Sequence, residues 1–284
     1  MTTAEAPTAE RPVVGLAVDE RGVASLRLQR PECGNAYDGD LLRSWHAALD
    51  DLECVEDLRV VVLSGEGRHF QAGADLDWVA RVRESSVEEN AAASALTATA
   101  VERLEALPVP VICLVQGSCF GGGTGLAAAA DVVVAAEGAT FSVAEVRWGL
   151  EPSIVLPQLT RAMSGRHLRR YAVTGETFDA VEAVRTGLVH EVVDGGELAR
   201  RSEELVVEVL RCAPGAVRHT KGHLTRAHLR DDLLRAHILA RTSSEAAEGL
   251  AAFASRRPPA WSQSGYRATR HLSPRHQPST KEEN

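Results

Sequence analysis

Three successive glycines, Gly121 to Gly123, follow an apolar run at 109–115 and precede an alanine-rich segment. This order predicts a buried strand, a tight turn and the start of a helix. Glycine lets a ligand lie against bare main chain, because it has no Cβ. The unpaired N–H groups and the positive dipole end of the helix favour negative charge there. The stretch therefore predicts a site for a permanent or a transient anion.

The kind of anion follows from what this turn lacks. It does not end in the Gly-Lys-Ser/Thr of a nucleoside triphosphate loop, and it fits the GxGxxG spacing of a dinucleotide fold poorly. A developing oxyanion is the better prediction. A second glycine-bearing turn, at 65–77, also leads from an apolar strand into a helix. The two turns could each supply one backbone N–H group to a shared oxyanion.

Alternating strands and helices must position these two turns. The predicted strands lie at 13–18, 22–28 and 58–63, and the predicted helices at 38–52, 86–107, 156–163, 167–173, 180–187, 198–212, 214–226 and 228–252. Asp38 or Asp40 is expected to cap the first helix. Strands that alternate with helices early, followed by helices late, predict repeated β-β-α units with a helical cap.

Composition limits the class of protein. The apolar fraction of 44% and the charged fraction of 25% are typical of a soluble globular chain. A net charge of −8 argues against a nucleic-acid partner bound through a basic face. The sequence has no run of about 18 apolar residues that could span a membrane, and its first residues lack the pattern of a signal peptide. Five scattered cysteines predict reduced thiols and a cytoplasmic location.

Several short motifs together carry a resemblance to a known family. They are Arg30-Pro31, Asn35-Ala36, Phe70 to Leu76, Gln116-Gly117, Gly121 to Gly123, Asp131, Phe141, Glu145, Thr174 to Glu176, Gly187 to Val189, Phe253 and Arg256 to Pro259. From Val13 to Trp261 the chain resembles the crotonase superfamily of enoyl-CoA hydratases and isomerases. The resemblance implies an α/β fold, a spiral of β-β-α units with a C-terminal helical trimerisation region. The expected divisions are a disordered N-terminus (1–12), the spiral core (13–200), the trimerisation region (201–261) and a disordered tail (262–284).

The same resemblance implies acyl thioester substrates, usually of coenzyme A, and no cofactor is expected beyond the coenzyme A of the substrate. The ten histidines show no metal-ligand spacing such as HExxH, so no metal is predicted. It assigns the oxyanion hole to the backbone N–H groups of Ala72 and Gly122. The expected contacts with the substrate or with coenzyme A are Ala36, Asp75, Leu76, Gly121, Trp148, Phe253 and Arg256. Arg256 is expected to reach the ligand of a neighbouring subunit, with a solvated helix end as the alternative.

Carboxylates give the predicted proton chemistry. Familiar hydratases of this superfamily carry two glutamates, but this chain has Gly125 at the first position and Glu145 at the second. Glu145 is predicted to be the general acid/base, with a surface carboxylate as the alternative. Glu151 could replace the missing acid or be a solvated loop charge. Asp75 is expected to cap the next helix as well.

Other residues near the turns have less specific expectations. His69 and Asp131 are predicted to be structural, and Cys119 is predicted to be a small buried residue rather than a nucleophile. Trp148 and Phe141 could wall the acyl pocket or belong to the apolar core.

The predicted function is that of an acyl thioester lyase, which hydrates or dehydrates a branched or glutaconyl-like 2-enoyl thioester through an oxyanion-stabilised enolate. The stretches FQAGADLDW and AEVRWGLEPSIVLPQL look most similar to hydratases of methylglutaconyl-CoA and isohexenylglutaconyl-CoA. They are also similar to dehydratases that act on acyl carrier protein thioesters. A 3,2-enoyl-CoA isomerase, a decarboxylase and a catalytically silent acyl-CoA-binding subunit stay open. The expected assembly is a homotrimer or a dimer of trimers.

Overall fold

The computed structural model describes residues 12–225 and 230–262. The strands are β1 (Val14–Val18), β2 (Val23–Leu28), β3 (Val60–Gly65), β4 (Val111–Val115), β5 (Ser118–Phe120), β6 (Val132–Ala136), β7 (Thr140–Ser142), β8 (Phe178–Asp179) and β9 (Glu191–Val193). The helices are α1 (Gly39–Glu53), α2 (Leu76–Glu84), α3 (Val87–Ala106), α4 (Gly122–Ala129), α5 (Leu156–Ala162), α6 (Gly165–Thr174), α7 (Ala180–Thr186), α8 (Leu198–Arg211), α9 (Pro214–Thr225), α10 (Arg230–Arg241) and α11 (Ser244–Ala254). Apart from Pro12 and Ser262, the two segments predicted to be disordered lie outside the described residues.

Two sheets organise the fold. The larger has the order β1-β2-β3-β4-β6-β9, and the smaller has the order β5-β7-β8. Only the β1–β2 pair of the larger sheet is antiparallel, and its other neighbours run parallel. The chain crosses from β4 to β5, returns through α4 to β6, and crosses again to β7. This alternation confirms the predicted α/β fold of β-β-α units.

Burial on both faces explains the apolar strands in the middle of the larger sheet. All five residues of β4 are buried, and it pairs in parallel with β3 on one side and with β6 on the other. Strands covered on both faces have continuous apolar sequences rather than an alternating pattern. The main core lies between these strands and helices such as α1, where Trp45 is fully buried.

Side-chain caps fix the ends of the helices nearest the site. Asp38 caps α1, because its carboxylate accepts hydrogen bonds from the N–H groups of Asp40 (3.0 Å) and Leu41 (2.9 Å). This confirms the prediction of a cap at that point, and such a cap contributes about 1 kcal/mol. Ser86 and Glu89 form a capping box at the start of α3. No helix in the described ranges is long and apolar enough to cross a membrane.

The single helix predicted at 228–252 is wrong. Helix α10 ends at Arg241 and α11 begins at Ser244, with residues 226–229 outside the described part of the chain. Ser243 starts the second helix, since its hydroxyl accepts a hydrogen bond from the Ala246 N–H at 3.1 Å. A serine cap within an otherwise helical pattern therefore divides the segment.

Asn35 connects the end of β2 to the first glycine-bearing turn. Its side chain is fully buried and donates to the carbonyl oxygens of Glu66 (2.9 Å) and His69 (2.8 Å). Its amide oxygen accepts a hydrogen bond from the Arg30 N–H at 2.8 Å. The backbone φ of 58° lies in the left-handed region, which asparagine adopts more readily than most residues. The Asn35-Ala36 motif is thus a structural clamp beside the site.

Candidate functional site

A cavity of about 780 Å³ opens between the two glycine-bearing turns, and α2 and α3 contribute to its walls. Its lining includes the predicted residues Ala36, Ala72, Asp75, Leu76, Gly121, Gly122, Glu145, Trp148 and Glu151. Phe253 and Arg256 do not line it, and the Phe253 side chain is 84% exposed. The predicted contact of Phe253 with the substrate or coenzyme A, and that of Arg256 with the ligand of a neighbouring subunit, remain predictions.

Main-chain hydrogen bonds bring the two turns together. The Gln71 N–H donates to the Ser118 carbonyl oxygen at 3.0 Å, and the Phe120 N–H donates to the Gln71 carbonyl oxygen at 2.9 Å. The first turn therefore runs alongside β5, which leads directly into the second turn. Gly123 is needed at this approach, because a Cβ there would lie 3.0 Å from the Gln71 carbonyl oxygen.

Gly122 presents a bare N–H group to the cavity. It is the first residue of α4, so its N–H has no acceptor within the helix. No acceptor elsewhere in residues 12–225 and 230–262 takes this hydrogen bond. The preceding Gly121 has a φ of 50°, and its own N–H donates to the Ser142 carbonyl oxygen at 2.9 Å. The left-handed turn at Gly121 thus directs the next N–H toward the cavity.

The predicted role of Ala72 in the oxyanion hole requires correction. Its N–H donates to the Gly34 carbonyl oxygen at 2.9 Å, so this group is already used in the fold. Two residues later, the Ala74 N–H has no acceptor among the described residues. Gly73, with a φ of 99°, turns the chain between the two alanines. The Gly73 N–H also has no acceptor among the described residues, and both residues line the cavity, so Gly73 and Ala74 carry the free donors of this turn.

Glu145 lines the same cavity as these donors and begins a short 3-10 turn from Glu145 to Trp148. A Cβ on Gly121 would lie 3.1 Å from Glu145 Oε1, which shows how closely the carboxylate packs on this glycine. The Glu145 Oε2 atom is buried and has no hydrogen-bond partner among the described residues. Burial raises the pKa of the Glu145 carboxyl, and a hydrogen bond from its own backbone N–H offsets this only in part. A carboxyl group with a raised pKa is chemically suited to take up and return a proton.

Gly125, where the familiar hydratases carry a second glutamate, faces an apolar neighbour. A Cβ at this position would lie only 2.3 Å from Val155 Cγ1 and 3.7 Å from Val101 Cγ2. The space for a second carboxylate is thus filled by an isopropyl group. The part of the cavity next to α4 therefore has one acidic side and one apolar side.

Glu151 and Asp75 also line the cavity, with different surroundings. Glu151 is exposed, and its carboxylate accepts a hydrogen bond from the Ser153 hydroxyl at 3.2 Å. Asp75 caps α2 by accepting a hydrogen bond from the Trp78 N–H at 2.9 Å, which confirms that part of its prediction.

Three further residues have the structural roles expected for them. His69 Nδ1 accepts a hydrogen bond from the Ser118 N–H at 3.0 Å, which ties the first turn to β5. Asp131 accepts from the Val111 N–H at 2.7 Å and pairs with Lys221 at 2.6 Å. Cys119 is fully buried, and burial raises the pKa of its thiol well above the ordinary value. A group of three metal-binding side chains does not occur among the residues that the structure describes.

Phe141 and Trp148, the two aromatic candidates for the pocket wall, lie in different parts of the structure. Phe141 is fully buried in the core, where its ring stacks on Phe178 with centroids 5.7 Å apart. Trp148 is 62% exposed and lines the cavity. The pocket-wall interpretation thus fits Trp148 alone.

Sequence reasoning missed Ala74 and Tyr37, which both line the cavity. The Tyr37 N–H donates to the Gly73 carbonyl oxygen at 2.9 Å, and the Asp75 N–H donates to the Tyr37 carbonyl oxygen at 2.9 Å. The available signal was an aromatic residue directly after the Asn35-Ala36 motif. The sequence did not show that Tyr37 lines the cavity, because its position depends on the hydrogen bonds with Gly73 and Asp75, which are distant in the chain.

Comparison with known proteins places the chain in one family. The family model described as enoyl-CoA hydratase/isomerase matches residues 19–264. A putative enoyl-CoA hydratase from Thermus thermophilus is 35% identical over 248 residues, which cover 85% of this chain and 98% of that protein.

Solved structures give the same result. AtuE from Pseudomonas aeruginosa superposes with a TM-score of 0.84 at 33% identity, covering 88% of this chain and all (100%) of that one. An enoyl-CoA hydratase from Shewanella pealeana superposes with a TM-score of 0.83 at 31% identity, covering 88% of this chain and 96% of that one. The chain is therefore a member of the enoyl-CoA hydratase/isomerase family, within the crotonase superfamily.

Proposed function

We propose that this chain is an acyl thioester lyase that adds water to a 2-enoyl thioester, or removes it from the 3-hydroxyacyl thioester. The observation that carries the proposal is the half-buried Glu145 carboxylate, whose buried Oε2 has no partner among the described residues. It shares a cavity with the free N–H groups of Ala74 and Gly122. A buried carboxyl and bare main-chain donors are the two components that enolate chemistry requires.

The dehydration direction illustrates the proposed roles. The thioester carbonyl oxygen accepts hydrogen bonds from Ala74 and Gly122, and the Glu145 carboxylate removes the α-proton. The electron pair of the C–H bond moves onto the carbonyl oxygen as an enolate. When the enolate collapses, the C–O bond at the β-carbon breaks, and the leaving hydroxyl takes the proton from Glu145 to form water. One carboxylate serves both steps if both groups leave from the same face.

The oxyanion hole can be tested with single-atom changes. Replacing the N–H of Ala74 by an ester oxygen, through incorporation of the matching α-hydroxy acid, should lower kcat roughly 10²–10³-fold. The same replacement at Ala72 is the matched control. It removes the hydrogen bond to Gly34, so it should lower the free energy of unfolding. The kcat of the folded protein should change much less than it does after replacement at Ala74. A larger kcat loss at Ala72 would restore the original assignment.

The apolar side of the site favours a second candidate function. Val155 fills the place of the second carboxylate at Gly125, and shifting a double bond needs only one group that takes and returns a proton. A 3,2-enoyl-CoA isomerase therefore uses the same Glu145 and the same oxyanion hole without any water. The two functions differ in whether solvent oxygen enters the product.

A branched or glutaconyl-like acyl group is the proposed substrate, as the sequence resemblance implies. The structural support is Arg147, which lines the cavity with its stem packed against Gly175. Within the described ranges, no carboxylate forms an ion pair with the Arg147 guanidinium. A guanidinium binds a carboxylate through two parallel hydrogen bonds, so it could hold the distal acid of such a substrate.

The acyl group is tested with a pair of substrates. Arg147→Gln should raise KM for 3-methylglutaconyl-CoA by roughly 10–100-fold, since a hydrogen-bonded charge pair is lost. The same variant should change KM for crotonyl-CoA, which has no distal acid, less than about twofold. Equal changes for both substrates would contradict a role in binding the acid.

The proposed assembly, thiol and location follow the sequence-based expectations. Apolar side chains exposed on α10 and α11 support a homotrimer or a dimer of trimers; they are Ile238, Leu239, Leu250 and Phe253. Coenzyme A is the proposed thiol, with acyl carrier protein as the alternative, and no further cofactor is proposed. All five cysteines are free, which supports a reducing compartment such as the cytoplasm.

Turnover in ¹⁸O-labelled water separates the candidate functions. The purified chain is incubated with crotonyl-CoA, 3-methylglutaconyl-CoA and a 3-enoyl-CoA, and the products are analysed by mass spectrometry. A lyase incorporates one solvent oxygen into a 2-enoyl substrate, whereas an isomerase converts only the 3-enoyl substrate without incorporating oxygen. Binding without any conversion would overturn both and leave a silent acyl-CoA-binding subunit.

A further inference from the structure

Tyr37 lies directly over the start of α4. A Cβ on Gly122 would approach the ring edge of Tyr37, at 2.6 Å from Cε1 and 3.4 Å from Cζ. Because Cζ carries the hydroxyl group, the phenol oxygen lies near the helix turn that presents the Gly122 N–H. The same cavity contains the Glu145 carboxylate.

The position of the Tyr37 ring is fixed from two sides. Its main chain makes the two hydrogen bonds with the Gly73–Asp75 turn described above. Its ring packs edge-on against Trp78, with centroids 5.8 Å apart and an interplanar angle of 66°. A side chain held in this way can place a hydroxyl group accurately, which is a requirement for a catalytic donor.

The Tyr37 hydroxyl is a donor with no acceptor in the described protein. Burial, and then the nearby charge of Glu145, raises the pKa of Tyr37 to about 12, so the phenol keeps its proton at neutral pH. The other tyrosine with a raised pKa, Tyr171, instead donates to Glu182 at 2.6 Å. The Tyr37 hydroxyl is thus available to a molecule in the cavity.

We propose that the Tyr37 hydroxyl replaces the missing second acid by donating a hydrogen bond to the water, or to the leaving hydroxyl, on which Glu145 acts. This proposal rests on the lyase function proposed above. The phenol does not lose its proton during the reaction. In hydration, Tyr37 orients the water, Glu145 takes one water proton as the C–O bond forms, and the α-carbon of the enolate then receives that proton. The carboxylate is thereby regenerated.

Two reactions separate this role from a structural one. Hydration of crotonyl-CoA needs the oriented water, whereas exchange of the α-proton of butyryl-CoA in D₂O needs only Glu145 and the oxyanion hole. Tyr37→Phe should lower kcat for hydration roughly 100-fold, the lower end of the range for acid/base assistance. KM and the exchange rate should stay within about threefold of the wild-type values.

Tyr171→Phe is the matched control, because it removes a hydroxyl group outside the cavity and should leave both rates unchanged. Thermal melting and butyryl-CoA affinity establish that each variant is folded. Hydration by Tyr37→Phe within twofold of wild type overturns the proposal, and so does an equal loss of hydration and exchange. If the wild-type chain hydrates no 2-enoyl thioester, the lyase function itself fails, and that failure is visible before any variant is made.

Discussion

Two glycines of the same helical segment face side chains of opposite character. Gly121 makes room for the Glu145 carboxylate, and Gly125, one turn later, makes room for Val155. Both neighbours belong to the stretch that follows β7. The scaffold thus provides two similar spaces, but it places an ionisable group in only one of them. The comparison supports the proposal that proton chemistry in this site depends on the single half-buried carboxyl of Glu145.

The difference also accounts for the electrostatics of the cavity. With an apolar group at Val155 rather than a second carboxylate, no like charge opposes Glu145 there, and burial is the main cause of its raised pKa. Replacing the Glu145 carboxylate should therefore affect turnover, whereas crowding Val155 with a larger residue at position 125 should affect stability.

Replacement of the Glu145 carboxylate should have the largest effect of these changes, a loss of turnover. Glu145→Gln keeps the size of the side chain but cannot transfer a proton, so kcat should fall roughly 10³-fold, within the usual range for acid/base residues. Acyl-CoA affinity, measured by calorimetry, should change little. Wild-type turnover in this variant would show that the reaction does not need the Glu145 carboxylate.

Crowding of the apolar side should reduce stability. Gly125→Ala places a Cβ 2.3 Å from Val155 Cγ1, so the free energy of unfolding should fall by about 1–3 kcal/mol. Gly165→Ala is the control, because nothing lies within 4 Å of its Cβ, and it should change stability by less than about 0.5 kcal/mol. In a double-mutant cycle by urea unfolding, Val155→Ala should relieve part of the loss. Strictly additive effects would contradict the contact.

Glu145→Gln should also make the folded protein more stable at neutral pH. Because the folded pKa of Glu145 is raised above its ordinary value of 4.5, the folded protein carries a partly buried charge at higher pH. The gain should be about 0.5–2 kcal/mol. It should shrink as the pH falls through the folded pKa and vanish below the unfolded one, where both states are protonated. Urea unfolding at several pH values measures it, and a gain independent of pH would argue against a buried charge.

The smallest effect is expected at Glu151. This side chain is exposed, and among the described residues only the Ser153 hydroxyl lies in hydrogen-bond range, so Glu151→Gln should change kcat less than about twofold. A loss comparable to that of Glu145→Gln would mean that the site uses two carboxylates after all.

The fold could be predicted from the sequence where local signals decide it. The Asp38 cap and the apolar strand β4 follow from patterns within a few residues. Strand β9 has only three residues and is defined by its pairing with β6, so no local pattern marks it. The break before α11 was marked in the sequence only by the short polar run Thr242-Ser243-Ser244 within a long helical pattern.

The site could be predicted less completely, because free donors depend on distant partners. The two glycine turns, Glu145 and the missing acid at Gly125 are readable from sequence. The choice between Ala72 and Ala74 depends on the Gly34 carbonyl oxygen, which accepts one N–H and leaves the other free. The filling of the second acid position by Val155 depends on how the loop after Glu145 folds back on α4.

Hydrogen exchange at the α-carbon tests the central claim most directly, since it needs neither water addition nor the correct acyl group. Butyryl-CoA is incubated in D₂O with the wild-type chain and with Glu145→Gln, and deuterium in the acyl group is followed by mass spectrometry. One α-hydrogen should exchange with the wild-type chain, and the variant should slow this exchange roughly 10³-fold. Two results would contradict proton transfer by the Glu145 carboxyl beside an oxyanion hole: equal exchange by both proteins, or no exchange of butyryl-CoA that is bound to the wild-type chain.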